Sequence, residues 1–239
     1  MLILAATPIG NLGDASPRLR EVLVNASVIV AEDTRTTSHL LSALGLKTGA
    51  KMIALHEHNE VAKAESIAEL ARDGDVVMVS DAGMPGISDP GYVVVRTAHE
   101  RGVTVSVIPG PSAVIAALAV SGLPTDRFAF EGFVPRKGQA KYFTELAREP
   151  RTLIFYESPH RLVKALEQFI EFFGADRNAS ISRELSKMFE ENKRGTLQEL
   201  ADYFKTKTVK GEIVIVLEGK KVEGKKNKEK IEVNNNEEE

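Results

Sequence analysis

Cysteine is absent from the chain, which excludes disulfides, thiolate metal sites and a cysteine nucleophile. An excess of positive charge is also missing. Lys and Arg number 31 against 34 Asp and Glu, for a net charge of −3. Total charge therefore cannot draw in a polyanion, and any RNA contact has to come from local patches. No apolar run is long enough to cross a bilayer. The opening stretch, MLILAATPIG, follows no basic segment and is too short for a secretory signal. The expectation is a cytoplasmic protein with no membrane segment. What is present is ordinary globular material, 43% hydrophobic over 239 residues. That suffices for one large domain or two smaller ones with real cores.

Low complexity is confined to KKVEGKKNKEKIEVNNNEEE (220–239), whose six Lys and six Glu cancel. Such a segment cannot bury a core and is expected to be a disordered charged tail. Upstream, apolar runs at 2–6, 27–31, 51–55, 75–80 and 103–108 read as strands, with helical patterns at 17–25, 34–44, 60–72 and 92–101 between them. Ser16-Pro17 is a good helix start, a capping hydroxyl followed by proline at the first helical position. The alternation predicts an α/β sheet, largely parallel. A break falls at SGLPTDRF (121–128), and a second series follows. Its strands lie in RFAFEG (127–132), TLIFYE (152–157), NASISREL (178–185) and EIVIVLEG (212–219), its helices at 139–148, 159–172 and 196–205. FEENKRG (189–195) reads as a polar segment. The fold class is thus α/β, with two α/β domains at 1–120 and 121–219 and no internal repeat.

In an α/β sheet, ligands bind beyond the carboxyl ends of the strands. All five strands of the first series end in polar, Gly- or Pro-rich loops: TPIGNLGD (7–14), EDTRTT (32–37), HEHNE (56–60), VSDAGMPGISDPG (79–91) and PGPSA (109–113). Five such loops on one sheet edge make a site. TPIGNLGD lacks the first close glycine pair of G-x-G-x-x-G, which argues against that dinucleotide-binding fold. Ser112 reads either as a helix N-cap or as a ligand contact beside free N–H groups. His56 and His58 would share a face of a continued strand, but two ligands do not make a zinc site, so no metal is expected. Asp81 and Asp89 read either as an acid/base pair or as groups that shape the loop and hold a ligand. In the second series, FVPRKGQAK (133–141) is either a solvated charged loop or a phosphate-contacting patch.

Taken in order, ATPIGNLGD, AEDTR, HEHNE, VSDAGMPGISDPG, PGPSA, SGLP, YESPHR and RELSK closely resemble the bacterial 16S rRNA cytidine 2′-O-methyltransferases of the tetrapyrrole methylase-like superfamily. The resemblance covers nearly all of residues 2–219. It implies two α/β domains with the cofactor S-adenosylmethionine in the cleft between them, and a homodimer. It implies as substrate a decoding-site cytidine of 16S rRNA in the small ribosomal subunit. Carried over position by position, it assigns cofactor contacts to Pro8, Asp81, Gly83, Met84, Ile87, Ser112 and Ala113. Tyr156, Leu185 and the Gly211–Glu212 turn would close over the adenine and ribose. The family usually carries threonine where this chain has Met84, and commonly a small helical extension where this chain has its charged tail.

A ribose hydroxyl needs a base to share its proton. Glu32, Asp33, Glu184, Lys187 and His160 stand near the expected cleft, and Glu184, Lys187 and His160 are the catalytic expectations. Arg35, Arg136, Lys137 and Arg161 are expected to face the RNA, with His160 and Lys187 beside them. Two rival readings are a sister enzyme that C-methylates a small tetrapyrrole or precorrin, and a non-catalytic RNA-binding assembly factor. The basic loop at Arg136 argues against the first, and the intact set of cofactor loops against the second.

Overall fold

The structure is a computed structural model that describes residues 1–221. Most of the expected charged tail at 220–239 therefore lies outside the described residues. Two five-stranded sheets organise the chain. The first is built from β1 (Leu2–Ala5), β2 (Val28–Ala31), β3 (Lys51–Ala54), β4 (Val76–Val79) and β5 (Val105–Ile108), in the order β3-β2-β4-β1-β5. All its pairings are parallel. Its strands are near-continuous apolar runs because both faces are covered. Ile3, Ile29, Val77 and Val79 pack under α1 (Pro17–Asn25) and α2 (Thr34–Ala43). Leu2, Val30, Val76 and Met78 pack under α3 (Glu60–Asp73) and α4 (Tyr92–Glu100).

Local chemistry sets the helix starts. Ser16 accepts from the Leu19 N–H, with Pro17 at the first helical position. Glu60, at the start of α3, reaches across to α4 and accepts from the N–H groups of Gly91 and Val93 at 2.8 and 2.9 Å. Two orphan donors of α4 are thereby satisfied by a carboxylate from the neighbouring helix. The cap residue of α4 is Gly91, and no side chain of its own loop caps the helix.

The second sheet holds β6 (Phe128–Phe133), β7 (Thr152–Glu157), β8 (Asn178–Arg183), β9 (Glu191–Thr196) and β10 (Ile213–Leu217), in the order β6-β7-β10-β8-β9. The largely parallel pattern expected of the first series, and found there, does not extend to this sheet. Only β6 and β7 are parallel, and the other three pairings are antiparallel. The reason is connectivity: β8 reaches β9 through a loop that contains no helix, so the chain reverses rather than crosses over. One face is packed by α6 (Gln139–Leu146), α7 (Leu162–Phe173) and α8 (Leu197–Lys205) around the cluster of Phe143, Phe155, Phe169 and Phe173. Phe143 and Phe169 meet edge to face at 5.3 Å, the preferred aromatic geometry.

The other face of that sheet is covered by α5 (Ala113–Ser121), whose Val114, Ala117 and Leu118 pack on Ile154, Val214 and Val216. Helix α5 falls within the 1–120 span but for its last residue, yet its buried face packs against the second sheet. The chain thus leaves the first sheet at the Pro109–Ser112 turn, and that turn lies on the seam between the two sheets.

Candidate active site

Because the first sheet is parallel throughout, the carboxyl ends of its strands share one edge. The loops there are tied together by their backbones. Thr7, after β1, exchanges two hydrogen bonds with Gly83, after β4, at 2.9 and 3.1 Å. Gly83 has φ +84, a conformation in which glycine escapes the Cβ clash. Buried Thr7 also donates through Oγ1 to the Ser80 carbonyl at 3.3 Å. The glycine-rich loop is therefore pinned against the first loop and faces the second sheet.

A cavity of about 420 Å³ opens between these loops and the second sheet. The first domain contributes Ile9, Glu32, Asp81 to Met84, Ile87, Ser88, Asp89, Ser112 and Ala113. The second contributes Phe133, Tyr156 to Pro159, Ser182, Leu185 and Gly211 to Val214. Of the expected cofactor contacts, Asp81, Gly83, Met84, Ile87, Ser112, Ala113, Tyr156, Leu185, Gly211 and Glu212 line it. Pro8 does not. It is buried in the loop beneath, and Ile9 presents the side chain instead. Ser112 makes no side-chain cap bond to its own helix, so its hydroxyl is not spent as an N-cap.

HEHNE stands apart because β3 is the far edge strand of its sheet. Asn59 folds that loop on itself, accepting from the His56 N–H at 2.9 Å and contacting the His56 ring at 2.9 Å. Neither histidine reaches the cavity wall.

The cavity is electrostatically lopsided. Burial raises the pKa of Glu32, with the charges of Asp81 and Asp33 adding to it. Burial likewise raises Asp81, although Asp33 N–H donates to its Oδ1 at 3.2 Å. Burial pushes Asp89 up to about 6, helped by the charges of Glu32 and Asp81. Three carboxyls thus crowd one wall in an environment that disfavours their charge. Opposite them, burial pushes the Tyr156 phenol up to about 12, and its ring packs edge-on against Phe130 and Phe133 at 4.9 and 5.4 Å. The wall is apolar there and anionic across from it.

Two buried polar atoms at this cavity have no hydrogen-bond partner, Glu157 Oε2 and Ser182 Oγ. Arg161 approaches the Glu157 carboxylate at 3.4 Å as an ion pair, without hydrogen-bond geometry. Unsatisfied buried groups are rare; here both atoms lie sealed beneath the cavity wall rather than on its surface, and strand alternation puts Glu157 on the same sheet face as Phe155, the side that Arg161 approaches. Neither was singled out from sequence. Glu157 sat inside YESPHR as motif text, while Ser182 was legible as the small polar member of the alternating face Ser180, Ser182 opposite Ala179, Ile181.

The expected catalytic residues lie at the rim. Lys187 Nζ is held by Glu212 at 2.9 Å and Glu184 at 3.0 Å. Burial works against its charge, but the two carboxylates outweigh it and raise its pKa. That is the reverse of what a lysine base requires. Glu184 Oε1 also accepts from the Glu212 N–H at 3.0 Å, which leaves it a latch rather than a free carboxylate. His160 is exposed and is not in the cavity wall. Among the expected RNA contacts, Arg35 is exposed but forks onto Asp33 at 2.6 Å, which drops Asp33 to about 2. Arg136 and Arg161 line a separate small pocket, and Lys137 sits beside it in the same loop.

Two α/β layers thus enclose an apolar, anion-flanked cavity at a parallel sheet edge. The sequence model of the tetrapyrrole (corrin/porphyrin) methylases matches residues 1–201, and the chain belongs to that family. Within it, the chain is 48% identical over 223 residues to ribosomal RNA small subunit methyltransferase I of Xylella fastidiosa, covering 91% of this chain and 81% of that protein. To the protein of the same name in Escherichia coli O157:H7 it is 45% identical over 227 residues, covering 93% and 79%. Among solved structures, the methyltransferase CobJ superposes with a TM-score of 0.67 at 19% identity, covering 92% of this chain and 96% of that one. Diphthine synthase does so at 0.66 and 17%, covering 91% and 89%. Identities this low speak for the fold alone.

Methyltransferases of this family take the methyl group from S-adenosylmethionine. The cavity fits that cofactor on its own chemistry. The apolar wall at Tyr156, Leu185 and Val214 suits a flat base, and the carboxyl wall suits a cationic ligand.

Proposed function

We propose that this protein methylates the ribose 2′-hydroxyl of a cytidine in 16S rRNA, at the decoding site of the small ribosomal subunit, and that it works in the cytoplasm as a homodimer. The observation that carries this reading is the pairing of the two-sided cavity with a sequence 45–48% identical to small subunit rRNA methyltransferases across most of their length. Among the described residues no helix is long and apolar enough to cross a membrane.

When bound, S-adenosylmethionine supplies a methyl group on a cationic sulfur. The chain's part is to orient that group, exclude water and take the hydroxyl proton. Asp81, which accepts from the Asp33 N–H and whose own N–H donates to Glu32 of the same neighbouring loop, is the polar handle for the cationic end of the cofactor. Tyr156, Leu185 and the Gly211–Glu212 turn cover the base. Proton acceptance is assigned to Asp89, whose pKa of about 6 lies near working pH and which faces the cavity, rather than to Lys187 or Glu184, which hold each other. Arg136, Lys137, Arg161 and His160 face the RNA outside the cavity.

Removing Asp81 as alanine is expected to weaken cofactor binding by roughly 10- to 100-fold, the worth of about one hydrogen bond to a charged group. Titration calorimetry measures it, and an unchanged affinity would remove Asp81 from this role. The substrate class is tested with labelled cofactor and purified small subunits, naked 16S rRNA and tetrapyrroles offered side by side. Label is expected in ribosomal RNA. Label in the tetrapyrroles would select the small-molecule reading, and subunit binding without cofactor binding would select a non-catalytic factor.

A further inference from the structure

A second, smaller pocket lies between α6 and α7, with a volume of about 80 Å³, roughly two to three water volumes. Arg136, Arg161 and Lys164 line it, with Gln139 and Gln168. Among the described residues, neither Arg136 nor Lys164 is paired with a carboxylate within 4.0 Å, whereas Arg161 is paired with Glu157 at 3.4 Å. The Arg161 hydrogen bonds run through Nη2 to the Val134 and Pro135 carbonyls at 3.1 and 3.3 Å. That fixes the guanidinium on one side and leaves its remaining N–H donors for a ligand. The glutamines are braced as well. Gln139 donates to the Pro135 carbonyl at 2.7 Å, and the Gln168 amide donates to Gln139 Oε1.

We infer that this pocket seats one phosphodiester of the RNA next to the nucleotide being methylated. The inference rests on the rRNA reading above and adds Lys164, Gln139 and Gln168 to it. Its first support is chemistry. Three cations and two amides converge on a concavity sized for an oxyanion, in a chain whose net charge gives no general attraction to nucleic acid. Its second support is place. The two chain segments that form the pocket are the continuations of those that line the main cavity. Phe133 lines the cavity and Arg136 the pocket; Glu157 to Pro159 line the cavity and Arg161 and Lys164 the pocket. Arg161 touches both sites through Glu157. A ribose held at the cavity mouth carries its own phosphates, so a seat at this position fixes the strand in register without reading sequence.

The test is binding of a short oligoribonucleotide carrying the target cytidine, followed by fluorescence anisotropy across a salt series. Lys164→Ala and Arg136→Ala are each expected to weaken binding by about three- to tenfold and to lower the slope of log affinity against log salt by about 0.7 to 1. Lys164→Glu should weaken it further and Lys164→Arg should restore most of it, with cofactor affinity by calorimetry unchanged in all four. Folded variants that keep the wild-type RNA affinity and salt slope would overturn the inference. So would variants that lose only the thermal stabilisation given by inorganic phosphate, which would make this a free-anion site. Failure of the rRNA reading shows separately, as a wild-type protein that transfers no methyl group to 16S rRNA.

Discussion

Asp89→Asn is expected to make the protein more stable at pH 7 and nearly inactive. The folded state holds the Asp89 carboxyl near 6, above its ordinary 3.8. Between those two values the unfolded chain has released its proton and the folded chain has not. Stability is therefore lost as pH rises through this window, and above about 6 the fold carries the whole cost of a half-buried charge crowded by Glu32 and Asp81. Discounted for the solvent that still reaches the group, that cost is about 1 kcal/mol. The asparagine variant lacks it, so its Tm should exceed the wild type by about 2–4 °C at pH 7 and match it near pH 4. Turnover should fall by about 10²- to 10⁴-fold, the usual worth of a general base. In the wild type the rate should rise with pH through about 6. A variant that keeps that acid limb at full rate would take proton acceptance away from Asp89. The opposite signs for stability and activity separate a functional carboxylate from one that merely shapes a turn.

Gly211→Ala should lower cofactor affinity by roughly 10- to 100-fold and stability by about 1–3 kcal/mol. Gly211 sits at φ +89, and a Cβ there would fall 2.3 Å from the Glu184 carboxyl carbon and oxygen. The carboxylate end could swing aside, but it is the group that holds the Glu212 N–H and Lys187. One methyl group thus releases the latch that shapes the second-domain wall of the cavity. Calorimetry and urea melts read the two effects. Wild-type affinity in a folded variant would mean that the Glu184–Lys187–Glu212 latch does not shape the cofactor site.

The first sheet was readable because its strands are buried on both faces and appear as bare apolar runs between capped helices. Ser16-Pro17 gave the start of α1 to the residue. The second sheet was less legible where pairing depends on backbone alone. β9, ENKRGT, is an edge strand with a mostly exposed, charged pattern, so burial left no alternation to read, while its charges protect the edge. α5 is apolar on nearly every side, yet it covers only the second sheet and leaves Ile115 and Val120 exposed, and nothing local says which sheet it covers. In the site, loop chemistry predicted which strand ends converge. It did not separate the four that meet from HEHNE, because strand order across the sheet places β3 at the edge. Side-chain commitments lay further out of reach. Whether Lys187 stands free or clamped depends on Glu212, which is distant in sequence, and the lack of a partner for Glu157 Oε2 and Ser182 Oγ shows only in the folded packing.

The protein is expected to place a single methyl group on a ribose of the small subunit. The most direct measurement is a map of 2′-O-methylation along 16S rRNA from small subunits treated with the purified protein and S-adenosylmethionine, against subunits treated with Asp81→Ala. One new 2′-O-methyl group at a decoding-site cytidine, absent with the variant, is the predicted result. A map unchanged by the wild-type protein, or methyl groups found only on bases, would contradict the account.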